Sequence, residues 1–150
     1  MPVKRFSIAA CVAASLALVN PITPVWADAA PADDAVYRAL GGADGLKVIV
    51  DDFLALVLAD DRIKKQFTDA DMPHLAMRLN EQFCVLAGGP CKYGGKDMTV
   101  IHADLHITDA QFNALAEDLQ TAMERHHVPS REQNKLLGKL APMQKVIVTK

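Results

Sequence analysis

The chain has 150 residues, about half of them apolar, with 16 lysines and arginines against 18 aspartates and glutamates and a formal net charge of −2. That balance excludes the strongly basic surface that nucleic acid or an anionic membrane requires. The size suits one small domain.

The chain opens MPVKRFSIAACVAASLALVNPITPVWADAAPADD. Lys4 and Arg5 precede a largely apolar run from Phe6 to Val19, which Asn20 and Pro21 break. Val25 and Ala27 supply the small residues that a signal peptidase reads, so residues 1–27 are expected to be a secretory signal cleaved after Ala27, with Ala29 as the alternative. The run falls short of the ~20 residues of a membrane span. IAAC is similar to a lipoprotein box, but the apolar run continues beyond Cys11. Residues 28–33 are expected to be a disordered lead-in, and residues 34–150 the domain. Losing Lys4 and Arg5 leaves fourteen basic against eighteen acidic residues, a net charge of −4. The expected location is the periplasm, with neither nucleic acid nor, once the signal is gone, membrane as a partner.

Every long periodic segment after that has the helical period. DDAVYRAL reads as a short first helix stopped by Gly41-Gly42. In the next, Leu46, Val50, Phe53 and Val57 form one stripe, widened by Ile49 and Leu56 and ended at Asp60-Asp61. DRIKKQF suggests one or two further turns. Asp71 as N-cap and Pro73 in the first turn open a helix that Gly88-Gly89 ends, with Leu75, Leu79, Gln82, Phe83 and Leu86 on its inner face. DMTVIHADLHI predicts a short helix of two turns. Thr108 with Gln111, and Ser130 with Gln133, match the capping-box pattern and open two long helices, the last kinked at Pro142.

His102 lies between Ile101 and Leu105 on the short helix, where it is either a buried histidine bonded to a backbone carbonyl or a metal ligand. His102 and His106 are spaced i, i+4, which would let them clamp a metal from one helical face. No third ligand sits at a matching spacing. His126-His127 closes a helix, where positive charge suits the dipole, and His74 is expected to face solvent. There is no C-x-x-C-H for covalent haem and no C-x-x-C redox pair. Cys84 and Cys91 flank a glycine turn; in an exported protein an even pair favours a disulfide over two buried thiols. Closing a loop of about eight residues is worth roughly 2.5 kcal/mol in the chain-entropy model.

An ordered series of segments resembles the group I truncated haemoglobins: VYRALGG, VDDFLALVLADDRIKKQF, DMPHL, AGGPCKYGGKDM, IHADLHIT followed by QF, VPSREQN and LAPMQKVIV. The resemblance covers residues 36–148. It implies an all-α, two-over-two globin sandwich around one haem b with its iron, and reversible binding of oxygen, nitric oxide or carbon monoxide. It makes His102 the proximal histidine, with His106 only its neighbour. Phe67, Tyr93, Met98 and Phe112 match haem-wall positions, Leu75, Leu79, Gln82 and Phe83 match the distal helix, and Arg78 is placed for a haem propionate. The glycines of the preceding loop would let the chain fold back under the haem and present His102.

Many members carry a tyrosine and a glutamine that hydrogen-bond the gas. Leu54 and Leu79 stand at those positions here, with Leu75 at the gate, and only Gln82 still offers an amide. A hydrogen bond to a polarised ligand is worth about 1.5–3 kcal/mol, roughly ten- to a hundredfold in affinity. The resemblance therefore points to a gas-binding globin with an unidentified reductase rather than an enzyme. A peroxidase or dioxygenase would call for distal polar groups that are mostly missing. The alternatives are a haem-based redox or gas-sensing protein and a non-haem metal-binding helical protein.

Overall fold

Gly41 and Gly42, with φ of 83° and 66°, turn the chain sharply between α1 (Ala35–Ala39) and α2 (Gly42–Ala59). A side chain at Gly41 would bring a Cβ within 2.9 Å of the Gly45 Cα, so the corner needs glycine for space as well as for its left-handed backbone. The computed structural model describes residues 34–150, so the expected signal and lead-in lie outside the described residues.

The apolar stripe of α2 is buried as its period requires: Leu46, Ile49, Val50, Phe53, Leu54 and Val57 all face inward. Leu56 is only partly buried at the edge of the cluster. A 3-10 turn (Lys64–Phe67) leads to α3 (Met72–Leu86), whose N-cap Asp71 accepts the His74 N–H, with Pro73 in the first turn. The tilted rings of Phe53 and Phe83, centroids 6.1 Å apart, join α2 to α3. At the end of α3, Gly89 donates to the Cys84 carbonyl (2.8 Å) and Gly88 to that of Val85 (3.1 Å). With Gly88 at φ 84°, this is a Schellman stop.

The next helix, α4 (Met98–His102), is five residues long rather than the two turns expected. Thr108 and Gln111 form the predicted capping box of α5 (Asp109–Arg125). The second expected box is absent. Pro129, in extended conformation, takes the N-cap position of α6 (Ser130–Leu140), which leaves Ser130 inside the helix with no capping bond. The buried Gln133 amide turns inward and donates to the Val128 carbonyl at 2.8 Å. Pro142 does more than kink the last helix. It sits in a 3-10 turn (Ala141–Met143) that separates α6 from α7 (Gln144–Ile147), because a proline interrupts the i to i−4 ladder.

The result is two layers of helices. α2 packs on both α3 and α5, α5 packs on α6, and α1 closes against α6. Among the described residues there is no strand, only a single bridge between Ile107 and Val148. Through it the chain end straps the segment after α4, since Thr149 and Lys150 both donate to the Ile107 carbonyl.

Candidate functional site

The eleven residues singled out in the sequence all line one cavity of about 550 Å³, within the ~300–1,000 Å³ usual for cofactor sites. α2 contributes Leu54, the 3-10 turn Phe67, and α3 Leu75, Arg78, Leu79, Gln82 and Phe83. Tyr93 comes from the loop, Met98 and His102 from α4, and Phe112 from α5. Most of these side chains are apolar, so the space is shaped for a bulky hydrophobic ligand. The inner face of α3 is only half-buried at Leu75 and Leu79 because it borders this space rather than packed protein.

His102 is the last residue of α4, and its Nδ1 lies 2.7 Å from the Met98 carbonyl, one turn back. A carbonyl only accepts, so Nδ1 carries the proton and Nε2 keeps its lone pair. Among the described residues Nε2 has no hydrogen-bond partner. Such a bond at Nδ1 fixes the tautomer and the orientation of the imidazole. The backbone bond of the first reading is therefore present, on a half-buried rather than a buried ring, and the other ring nitrogen is left open.

His106 is not part of that arrangement. The helix stops at His102, and His106 is an exposed residue with φ 50°, so the two rings do not share a helical face and the i, i+4 clamp falls. His74 is exposed as expected. His126 lies 3.6 Å from Asp52, and His127 takes φ 57° at the end of α5. Val128 donates to Met123 and His127 to Glu124, so His127 fills the position that glycine fills in α3.

The loop from α3 to α4 is held at three points. Cys84 and Cys91 are joined by a disulfide, with Cα atoms 5.9 Å apart. Gly89 lies against this bridge, where a Cβ would come within 2.6 Å of the Cys84 sulfur and 2.7 Å of the Tyr37 ring. Farther along, Glu81 accepts the Gly94 N–H and Arg78 Nη1, both at 2.9 Å, and these bonds hold its carboxyl below the usual range. Tyr93 donates its hydroxyl to the Lys96 carbonyl (3.1 Å), and burial raises its phenol pKa.

On the α3 side the only amide among the expected residues is that of Gln82. Its Nε2 lies 3.7 Å from the Met98 sulfur and 3.5 Å from that of Met143. The cavity also reaches residues absent from the sequence expectation, notably Leu115, Leu137, Leu140, Met143 and Ile147. Their signal is the apolar spacing from Leu137 through Leu140 to Met143 and Ile147, which continues past Pro142.

The model of the bacterial-like globin family matches residues 35–149. The group 1 truncated haemoglobin GlbN of Mycolicibacterium paratuberculosis is 35% identical over 114 residues, covering 76% of this chain and 84% of that protein. The group 1 truncated haemoglobin of Tetrahymena pyriformis is 35% identical over 89 residues, 59% of this chain and 74% of the relative. The crystal structure of that Tetrahymena protein in its Fe(III) form superposes with a TM-score of 0.74 at 30% identity, over 77% of this chain and 98% of the other. The 2/2 haemoglobin of Synechococcus sp. PCC 7002, in the cyanomet state with covalently attached haem, gives 0.68 at 27% identity, over 75% and 97%.

Proposed function

Because the chain belongs to the bacterial-like globin family, as a group 1 truncated haemoglobin, we propose that it binds a diatomic gas reversibly, with His102 as the proximal ligand of the haem iron. Haem is the cofactor of this family, and the residues present suit it. The cavity has the size and apolar lining for a porphyrin, and Arg78 borders it with a charge suited to a propionate. The chain lacks a C-x-x-C-H motif, so haem b is held without a thioether link. When bound, haem would supply a ferrous iron able to take up oxygen, nitric oxide or carbon monoxide. The protein supplies the imidazole, an enclosing apolar wall, and a distal side in which Leu54, Leu75 and Leu79 donate no hydrogen bond. Such a site favours binding and release over turnover.

The observation that carries this reading is the His102 Nδ1 to Met98 bond beside a large apolar cavity. The leader sequence supports export, and so oxygen transport or gas handling in the periplasm, with electrons from a reductase of unknown identity.

The test is the absorption spectrum of the haem-loaded protein beside two variants. His102→Ala is expected to lose the Soret band and ferrous spectrum of a histidine-ligated haem, and His106→Ala to keep both. An unchanged ferrous spectrum in His102→Ala overturns the assignment. Loss of haem in His106→Ala alone moves the ligand by one turn.

A further inference from the structure

One amide and two thioethers meet at the wall of the large cavity. Gln82 Nε2 lies 3.5 Å from the Met143 sulfur and 3.7 Å from that of Met98, and all three side chains line the cavity. They come from α3, from the 3-10 turn after α6 and from the first position of α4, so the fold and not local spacing brings them together. A primary amide carries two N–H donors, and thioether sulfur is only a weak acceptor. The amide is therefore held, but loosely.

Sulfur is also the atom of this group that can change. With hydrogen peroxide, a sulfur lone pair attacks one peroxide oxygen, the O–O bond breaks, and sulfoxide and water result. The step turns a flexible apolar side chain into a polar one, and sulfoxide reductases reverse it. The added oxygen is the negative end of the S–O bond and accepts a hydrogen bond far better than sulfur does. On most of this apolar wall it would find no donor. Beside Gln82 it meets an amide already bonded to the sulfur that bears it. Among the described residues no other methionine sulfur has a side-chain donor: Met77 is 45% exposed on α3, and Met123 is fully buried.

We propose that Met98 and Met143 form a reversible oxidation site, with Gln82 as the group that receives the sulfoxide. Oxidation turns the loose contact into a firm one, which keeps the amide against the wall and off the distal space. Met98 is also the residue whose carbonyl lies 2.7 Å from His102 Nδ1, so the lock ties α3 to the helix that presents the histidine. The inference goes beyond the gas-binding reading and stands on the two sulfurs and the amide alone.

The haem-loaded protein, saturated with carbon monoxide, is treated with hydrogen peroxide and mapped by peptide mass, with Met77 as the exposed reference and Met123 as the buried one. Met98 and Met143 are expected to gain one oxygen each while Met123 stays unmodified, and a methionine sulfoxide reductase to remove both. The Gln82 side-chain amide protons should then move downfield in NMR and exchange more slowly by roughly two- to tenfold, the factor for one hydrogen bond. The variant carrying both Met98→Leu and Met143→Leu should show neither change. Oxidation should also raise the haem-loss rate more in Gln82→Leu than in wild type, each measured against its own untreated form. If Met98 and Met143 are unmodified once Met77 is fully oxidised, the site is overturned. If they are oxidised and the Gln82 amide stays as it was, or changes equally in the double variant, the lock is overturned. An untreated protein without a histidine-ligated haem spectrum would instead overturn the role of His102, and the peptide map and amide shift would still decide the oxidation site.

Discussion

Glu81 and Gly94 are joined across thirteen residues by one hydrogen bond, carboxylate to backbone N–H at 2.9 Å, and the same oxygen receives Arg78 Nη1. One side chain thus ties α3 to the loop before His102 and holds the cationic group at the cavity mouth. Both neighbours stabilise the ionised form, which lowers the Glu81 pKa. By linkage, its contribution is present above the unfolded value and disappears as pH falls through the lowered folded one. Glu81→Ala is therefore expected to speed amide exchange at Gly94 and haem loss at pH 7, with little difference from wild type in strong acid. Exchange at Gly94 equal to wild type at neutral pH would show that the tie holds nothing.

A second carboxylate behaves in the opposite sense. Asp118 of α5 is only 9% exposed, and its Oδ2 has no hydrogen-bond partner among the described residues. Burial raises its pKa, and the nearby Asp60 adds to that. The charged form is thus costly in the fold, fully so above the raised value, and the cost fades as pH falls toward 3.8. A buried acceptor without a partner costs about 1–3 kcal/mol, and alanine also suits a helix interior. Asp118→Ala should stabilise the protein by about 1 kcal/mol at pH 7, with the gain shrinking in acid. Thermal melts at the two pH values decide it; a loss of stability at pH 7 would mean that the carboxylate is needed.

The disulfide gives a third expectation. If the protein is exported, it should titrate no free thiol when denatured without reductant, and reduction should cost roughly 2.5 kcal/mol of stability in the chain-entropy model. The bridge closes the turn that leads toward His102, so reduction should also raise the haem-loss rate. Two titratable thiols in periplasmic material would place Cys84 and Cys91 apart in the cell.

These devices were unequally legible in the sequence. The helical period exposed the α2 stripe, and the Asp71 and Thr108 caps were readable because each needs only local spacing. Ser130 and Gln133 have the same spacing and failed, since Pro129 occupies the N-cap position and a buried Val128 carbonyl competes for the amide. The His102–His106 pairing failed for a related reason: periodicity does not show where a five-residue helix ends. The far wall of the cavity was legible only as an apolar spacing from Leu137 to Ile147, and that Leu115 joins it depends on tertiary packing. The strap from Val148 to Ile107 is likewise a contact between distant segments.

The last prediction concerns the distal side. Leu54 is 7% exposed on α2, and with Leu75 and Leu79 it lines the cavity without offering a donor. Oxygen, which is polarised when bound, should therefore leave quickly, while carbon monoxide, needing no such bond, should be held comparatively well. Leu54→Tyr adds a hydroxyl at that wall and is expected to slow oxygen release by roughly ten- to a hundredfold, with a much smaller change for carbon monoxide. Overpacking opposes this gain by about 1–3 kcal/mol if the ring displaces its neighbours, and the carbon monoxide rate serves as the control. Gln82 is the competing donor. Its amide faces the sulfurs of Met98 and Met143, and thioether sulfur is a weak acceptor, so a bound gas could draw the amide away. Stopped-flow release rates for wild type, Leu54→Tyr and Gln82→Leu separate the two cases. Slow wild-type oxygen release that becomes fast in Gln82→Leu would make Gln82 the donor and end the apolar reading. Fast release in both, slowed only by Leu54→Tyr, would establish that the leucines set the affinity.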